Sequence, residues 1–399
     1  MAAPRSTSDE QHVPFGNYQY EIYLRGMAGQ TPDFPVSWAD LEAAASAAMD
    51  PMAHGYVFGS AGTEDTEREN RAAFGRHRIV PRMLRDVSAR NLGTELFGVA
   101  HKAPVMLAPI GVQSIIHPDG ELASARGAAE AGIGFVASTA ASFSMEQIAE
   151  AGAAAPRWYQ LYWPKDPDLT ATFVARAEAA GYEAIVVTLD TGLLAWRPRD
   201  LQTAYLPFLQ SVGIANYLSD PVFRAALPQP PEENPTAAVM HFVNVFSNPA
   251  LTWTDLAALR SLTALPIVLK GIVHPEDARL ARDHGMQGVV VSNHGGRQVD
   301  GAIAALDALP GVVDAVGDDV TVLFDSGVRC GADVVKALAL GARAVLLGRP
   351  YLWGMAVGGS DGVTKVVRHL LSEVDLTLAL SGHSSPRTLS REILHHREP

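Results

Sequence analysis

From Ala103 onward the chain repeats one pattern: a short β-branched apolar run, a Gly, Pro or polar break, then an Ala-rich amphipathic stretch. Eight such runs occur, Pro104–Pro109, Gly134–Ser138, Trp158–Tyr162, Ala184–Leu189, Pro266–Leu269, Gly288–Val291, Thr321–Phe324 and Ala344–Leu347. Runs apolar on both faces suit parallel strands buried between a packed interior and an outer ring of helices. The stretches between them carry helix signals: Glu121–Gly132, Asp168–Gly181 and Ala332–Gly341 close on Gly, and Pro275 opens a helix ahead of Glu276-Asp277. Eight strands, each followed by a helix, predict an α/β chain folded as a (β/α)8 TIM barrel. An open doubly wound sheet is the alternative, which eight evenly repeated units disfavour.

Two segments stand outside the repeat. Residues 1–102 precede it and predict helices at Trp38–Met49 and Glu64–Arg76, an N-terminal helical extension packing on the barrel that spans 103–399. After the fourth strand comes a 63-residue insertion, Thr191–Trp253, holding Pro221, Pro228, Pro230, Pro231 and Pro235, which predicts an irregular segment. Insertions on barrel loops sit above the C-terminal mouth, where active sites lie, so this one is a candidate lid. A disordered or oligomer-contacting loop is the competing reading.

Composition narrows the partners more than the fold. With 48% hydrophobic and 19% charged residues there is material for a large core. A net charge of −12 argues against nucleic acid and anionic membrane as ligands. Cys330 is the one cysteine, which excludes an internal disulfide and a thiolate metal cluster; it reads as a small packing residue at a helix start. Met1–Pro14 is polar, with no apolar run of signal-peptide kind, and no stretch approaches a membrane span. A soluble, cytoplasmic protein is expected.

Nearly every strand from the third on ends, on its C-terminal side, in a residue capable of chemistry. Gln160 and Tyr162 end the third, Thr188 and Asp190 the fourth, Lys270 the fifth, Ser292-Asn293-His294 the sixth, Asp325 and Arg329 the seventh, and Arg349 the eighth. In a barrel these converge on one mouth. The two arginines, beside Gly327 and Gly348, make a phosphate corner of guanidinium and backbone donors, and Gly295-Gly296 lets backbone approach a ligand closely. No metal is expected: His294 lacks a second histidine at ligand spacing, and His395-His396 falls in the terminal tail. No G-x-G-x-x-G follows a strand, so a Rossmann site is not supported. Lys270 alone would also permit a Schiff-base lyase.

The run S-N-H-G-G-R-Q at Ser292–Gln298 resembles the active-site signature of the FMN-dependent α-hydroxy acid dehydrogenase family. Q-L-Y (Gln160–Tyr162), T-L-D (Thr188–Asp190), L-K-G (Leu269–Gly271), D-S-G-V-R (Asp325–Arg329) and G-R-P (Gly348–Pro350) occur in family order, so the likeness covers roughly Tyr18 to Leu394. Within the family, Y-E-I-Y (Tyr20–Tyr23), A-P-I-G-V (Ala108–Val112), W-R-P-R-D (Trp196–Asp200), N-Y-L-S-D-P-V-F (Asn216–Phe223) and the long insertion are most similar to the lactate 2-monooxygenase branch. Two departures from the commoner pattern stand out: Ser326 where a second Gly is usual, and Gly111 where Ala is usual, a change expected to alter space beside the flavin.

The resemblance implies FMN held by Pro109, Ile110, Gly111, Ser138, Gln160, Thr188 and Lys270 at its ring and ribityl chain, by Asp325 at the ribityl hydroxyls, and by Gly327, Arg329, Gly348 and Arg349 at the phosphate. It implies His294 as the base, Asp190 as its partner, Arg297, Arg197 and Tyr56 at the substrate carboxylate, Tyr162 near the 2-hydroxyl, and Lys270 against charge on the reduced flavin. The implied partners are a small 2-hydroxy acid, O2, and further copies of the chain as a tetramer or octamer.

Overall fold

The computed structural model describes residues 13–397, so of the polar start only Val13 and Pro14 are described. Four helices, α1 (Tyr18–Met27), α2 (Trp38–Ala48), α3 (Pro51–Phe58) and α4 (Asp65–Arg76), precede three short strands, β1 (His77–Ile79), β2 (Thr94–Leu96) and β3 (Val99–His101). Local chemistry starts these helices. The Ser37 hydroxyl accepts from the Asp40 N–H at α2, and the Asp50 carboxylate accepts from the Met52 N–H with Pro51 in the first turn of α3.

Strands β4 (Val105–Leu107), β5 (Gly134–Ser138), β6 (Arg157–Leu161), β7 (Ile185–Thr188), β8 (Ile267–Lys270), β9 (Gly288–Val291), β10 (Thr321–Phe324) and β11 (Ala344–Leu347) follow in that order around a closed parallel barrel. Closure runs through Val345 opposite Val105 and Leu347 opposite Leu107. Alternation along each strand then separates two cores. Val105, Phe135, Tyr159, Ile185, Ile267, Val289, Val322 and Val345 face the helices, and Met106, Val136, Trp158, Val186, Val268, Val290, Leu323 and Leu346 fill the interior.

The hairpin β2–β3 closes the N-terminal end of the barrel. Its two-residue turn is Phe97-Gly98, with φ +51 and +82, the pair of positive values that matches strand twist in a tight hairpin. Leu96 and Phe97 pack into the interior cluster, with the Phe97 ring 5.4 Å from that of Trp158. After β11 a long helix, Arg349–Leu380, breaks at Gly358-Gly359 and packs on the helix Gly120–Ala131. Residues Leu394–His396 form a last strand, β12, antiparallel to β1, which places His395 and His396 at the surface.

In the insertion, Pro228, Pro230 and Pro231 lie among the turns and bends at 226–234, as expected of an irregular segment, but much of the rest is helical. It folds as short helices at Pro198–Gln202, Pro207–Gln210, Ala215–Leu218, Pro221–Ala225 and Pro235–Phe246, and Pro198, Pro207, Pro221 and Pro235 each occupy a first turn, where a missing N–H costs nothing. Asp220 caps one of them and pairs with Arg176 of the barrel helix Pro167–Ala179 at 3.0 Å. Among the described residues no helix is long and apolar enough to cross a membrane.

Candidate active site

Two residues above the interior apolar layer the same inward register reaches Ser138, Gln160, Thr188, Lys270, Ser292 and Asp325. Polar side chains therefore begin where the apolar filling ends, at the C-terminal mouth. Gln160 accepts from the Ser138 hydroxyl and donates to Thr188 Oγ1, each at 2.9 Å, so these three form one buried network. Lys270 is buried, with Nζ 3.1 Å from Ser292 Oγ and 3.4 Å from Asp325 Oδ2. Burial works against its charge, but Asp325 and Asp190 outweigh that and raise its pKa above the ordinary lysine value.

His294 stands in a tight turn after β9, and its Nδ1 lies 2.8 Å from Asp190 Oδ1 at the end of β7. Burial pulls the imidazole below its ordinary pKa against the opposing pull of Asp190, which favours the neutral ring near neutrality. Burial also opposes the Asp190 charge, yet His294 and Lys270 hold that carboxyl below the usual carboxylate range. Its second oxygen is buried without a hydrogen-bond partner.

Four arginines surround this pair. Arg297 donates to the carbonyls of Tyr56 and Gly59 at 2.6 and 2.5 Å, and its guanidinium lies over the Tyr56 ring at 5.0 Å. Arg197 donates to the Arg297 carbonyl and to Gln298 Oε1. Arg349 donates to the carbonyls of Val57, Gly295 and Gly59 and to Ser60 Oγ. Only Arg329 has a carboxylate, Glu67 Oε1 at 3.1 Å. Burial and Arg197 bring Arg297 down to about 10, and burial with Arg329 and Arg297 brings Arg349 down to about 9. Among the described residues no carboxylate lies within ion-pair distance of Arg197, Arg297 or Arg349. Unpaired buried cations call for anions.

These residues meet in a cleft of about 830 Å³ lined by Tyr56, Pro109, Ile110, Gly111, Tyr162, Lys270, His294, Arg297, Asp325, Gly327, Arg329, Gly348 and Arg349. The phenols of Tyr56 and Tyr162 are pushed up by burial, so both are neutral donors; Tyr56 donates to the Gly111 carbonyl at 3.1 Å. A Cβ on Gly348 would meet no heavy atom within 4 Å, so the cleft is open above that backbone beside the two arginines. Ser138, Gln160 and Thr188 do not line this cleft; they form a network at the ends of β5, β6 and β7. A Cβ on Gly111 would come within 2.1 Å of the Ala140 carbonyl oxygen, so the space expected beside residue 111 is already filled by backbone.

A second chamber of about 900 Å³ shares Tyr56, Gly111, Tyr162, His294 and Arg297 with the cleft and adds Arg197. Its insertion wall is mostly apolar, Leu193, Leu194, Leu206, Phe208, Phe242 and Phe246, with Thr191, Ser247 and Gln298 as polar lining beside it. The sequence marks Ser292 at the end of the sixth strand and Ser326 as a departure without giving either a role; their hydroxyls brace the His294 turn, and Asn70 of α4, which sequence reasoning passed over, exchanges side-chain hydrogen bonds with Asn293. The inward register of β9 was a signal for Ser292; nothing in the helical pattern of α4 marks Asn70.

The sequence profile of the FMN-dependent dehydrogenase family matches residues 45–396. An L-lactate oxidase of Lysinibacillus sphaericus is 43% identical over 365 residues, covering 92% of this chain and 94% of its own length. An FMN-dependent alpha-hydroxy acid dehydrogenase of Schizosaccharomyces pombe is 45% identical, with 96% and 97% covered. A crystal structure of mandelate oxidase superimposes with a TM-score of 0.80 at 40% identity, covering 90% of this chain and 98% of that one. The open backbone at Gly348, beside Arg329 and the carboxylate-free Arg349, suits the phosphate of FMN. The chain belongs to the FMN-dependent dehydrogenase family and is an FMN-dependent oxidoreductase.

Proposed function

We propose that this enzyme oxidises small L-2-hydroxy acids with FMN and O2, and that its reaction is that of a lactate 2-monooxygenase: L-lactate and O2 give acetate, CO2 and water. The observation that carries the oxidation is the meeting of the His294–Asp190 pair with two guanidiniums that have no carboxylate of their own. A 2-hydroxy acid offers a carboxylate beside a carbinol, and so needs a cation and a base side by side.

Arg297 and Arg197 grip the carboxylate, with Tyr56 a neutral donor once its hydroxyl turns from the Gly111 carbonyl, and Tyr162 at the 2-hydroxyl. His294, kept neutral by burial, takes the hydroxyl proton on Nε2, and Asp190 on the opposite nitrogen stabilises the imidazolium as it forms. FMN bound there would supply the two-electron acceptor for the hydrogen leaving C2, with O2 as the final electron acceptor. Gly327, Arg329, Gly348 and Arg349 would hold its phosphate and Asp325 its ribityl hydroxyls, with Pro109, Ile110 and Gly111 at the ring and the Ser138–Gln160–Thr188 network at the strand ends outside the cleft lining. Lys270, held charged by Asp325 and Asp190, offsets the negative charge that reduction brings.

The insertion supports the monooxygenase outcome. Its apolar wall beside His294 and Arg297 retains the keto acid while peroxide attacks it; the C1–C2 bond breaks, and pyruvate with H2O2 becomes acetate, CO2 and water. The second reading, an oxidase releasing keto acid and H2O2, is favoured by the relative named L-lactate oxidase. L-lactate is expected to bleach the yellow enzyme under nitrogen. In air with no catalase, acetate is expected in step with lactate consumed; stoichiometric pyruvate and peroxide would place the enzyme in the oxidase class. A cytoplasmic homo-oligomer, tetramer or octamer, completes the proposal; α1 supports it, with no residue buried and Tyr20, Tyr23 and Leu24 exposed.

A further inference from the structure

Ser326 follows Asp325 at the end of β10 and is buried, with φ +81. That conformation strains an L-residue, and glycine would relieve it. A serine held there implies a use for its hydroxyl, and all three hydrogen-bonding positions of that hydroxyl are taken. It donates to Asp325 Oδ1 at 2.8 Å and accepts from the Gly295 N–H at 3.0 Å and the Asn293 N–H at 3.3 Å. Those two amides flank His294, whose own N–H is held by Ser292 Oγ at 3.1 Å and whose φ is +59. Ser292 Oγ in turn accepts from Lys270, and Lys270 meets the other oxygen of Asp325. Two serines on neighbouring strands therefore clamp the three consecutive amides of the base turn and tie them to the Lys270–Asp325 pair.

We propose that Ser326 is a positioning residue for the oxidation: its hydroxyl fixes the turn that aims His294, by joining the amides on either side of the base to the Asp325 carboxylate. Ser326 lines the cleft, but its hydroxyl is fully taken by Asp325, Gly295 and Asn293 and makes no bond to the His294 ring, and the arginines that grip the carboxylate are held by other partners, Arg297 by Tyr56 and Gly59 and Arg197 by Gln298. Loss of the hydroxyl should therefore misplace the proton acceptor and leave binding intact. The inference rests on the reading of His294 as the base.

The test uses Ser326→Ala, which keeps the strain, and Ser326→Gly, which removes it, each against wild type and His294→Ala. Three quantities are measured: the limiting rate of anaerobic reduction by L-lactate, the apparent Kd for L-lactate from the same traces, and the Kd of FMN for the apoprotein from fluorescence quenching. Both serine variants are expected to lose about 10- to 100-fold in limiting rate, with both Kd values within about 3-fold of wild type. Rates within 3-fold of wild type in both variants would overturn the proposal. So would a Kd for lactate or FMN that rises as far as the rate falls, which would make Ser326 a binding or merely structural residue. Reduction of His294→Ala at the wild-type rate would sink the base reading itself, whatever the serine variants do; an inactive His294→Ala beside full-speed serine variants would sink only the role of Ser326.

Discussion

The two ends of the barrel are built from the same eight strands in the same inward register, yet they close in opposite ways. At the N-terminal floor Leu96 and Phe97 of the β2–β3 hairpin plug an interior of Met106, Trp158, Val268 and Leu323. At the C-terminal mouth, two residues further along, the interior positions are Gln160, Lys270 and Asp325, and half-buried arginines stand over them. Each end also holds non-glycine residues at positive φ: Phe97 at the floor, His294 and Ser326 at the mouth. The strain at the floor secures a ring against Trp158, and the strain at the mouth secures hydrogen bonds around a base. One end spends its residues on packing and the other on reactivity, so changes at the two ends should separate stability from catalysis.

The largest effect expected is at the mouth. His294→Ala should cost at least about 10²- to 10⁴-fold in the rate of anaerobic reduction by L-lactate, the range for removal of a general base. FMN should remain bound, because the phosphate corner at Arg329 and Arg349 is untouched, and the thermal midpoint should stay within a few degrees of wild type. A variant that bleaches at the wild-type rate, or that no longer folds, would erase the contrast between the ends.

The converse belongs to the floor. Leu96 is 1% exposed inside the barrel, and Leu96→Ala leaves a cavity that the surrounding strands cannot collapse into. A loss of about 2–5 kcal/mol is expected, read from the urea midpoint, with the limiting reduction rate within a factor of two of wild type. A reduction rate that falls along with stability would mean that the ends are coupled through the strands.

How far each end could be read from sequence follows the same division. The mouth was legible because its chemistry follows apolar runs that recur with a helix after each: Gly288–Val291, Thr321–Phe324 and Ala344–Leu347 have the expected bounds, and the barrel register carries from such runs to Lys270 and Asp325. The floor was not, since β2 and β3 are three residues each, too short for alternation to show, and the Phe97-Gly98 turn puts an aromatic where turn chemistry favours Asn or Asp. Pairing of β1 with β12 joins residues more than 300 positions apart, which no local pattern reports. Tyr56 was hidden differently: α3 is apolar around its circumference, so nothing in its pattern singles out the side chain that lines the cleft. In the insertion, two of the prolines read as breaks, Pro221 and Pro235, were helix starts, because Pro opens a helix as readily as it ends one, whereas Pro228, Pro230 and Pro231 do lie among turns and bends.

The smallest expected effect is also the finest test, because each end buries one histidine. His101 on β3 is buried near Trp158 with neither ring nitrogen hydrogen-bonded, and His294 has Asp190 at 2.8 Å. Burial lowers the pKa of both; only His294 has a carboxylate opposing the shift. For His101 the folded state resists a proton that the unfolded chain accepts near the ordinary value of 6.5. As pH falls through 6.5 toward the lower folded value the unfolded state binds more protons, and stability falls with it. His101→Leu should remove that part of the slope: its thermal midpoint should drop less than that of wild type between pH 7.5 and 5.5, by a few degrees at most. The kcat/KM profile of the variant should overlay that of wild type, because loss of activity in acid follows protonation of His294, which burial displaces below the ordinary imidazole range. A shifted activity profile in His101→Leu would show that the floor histidine reports on the mouth. An unchanged melting slope would show that the floor histidine binds its proton equally well folded and unfolded.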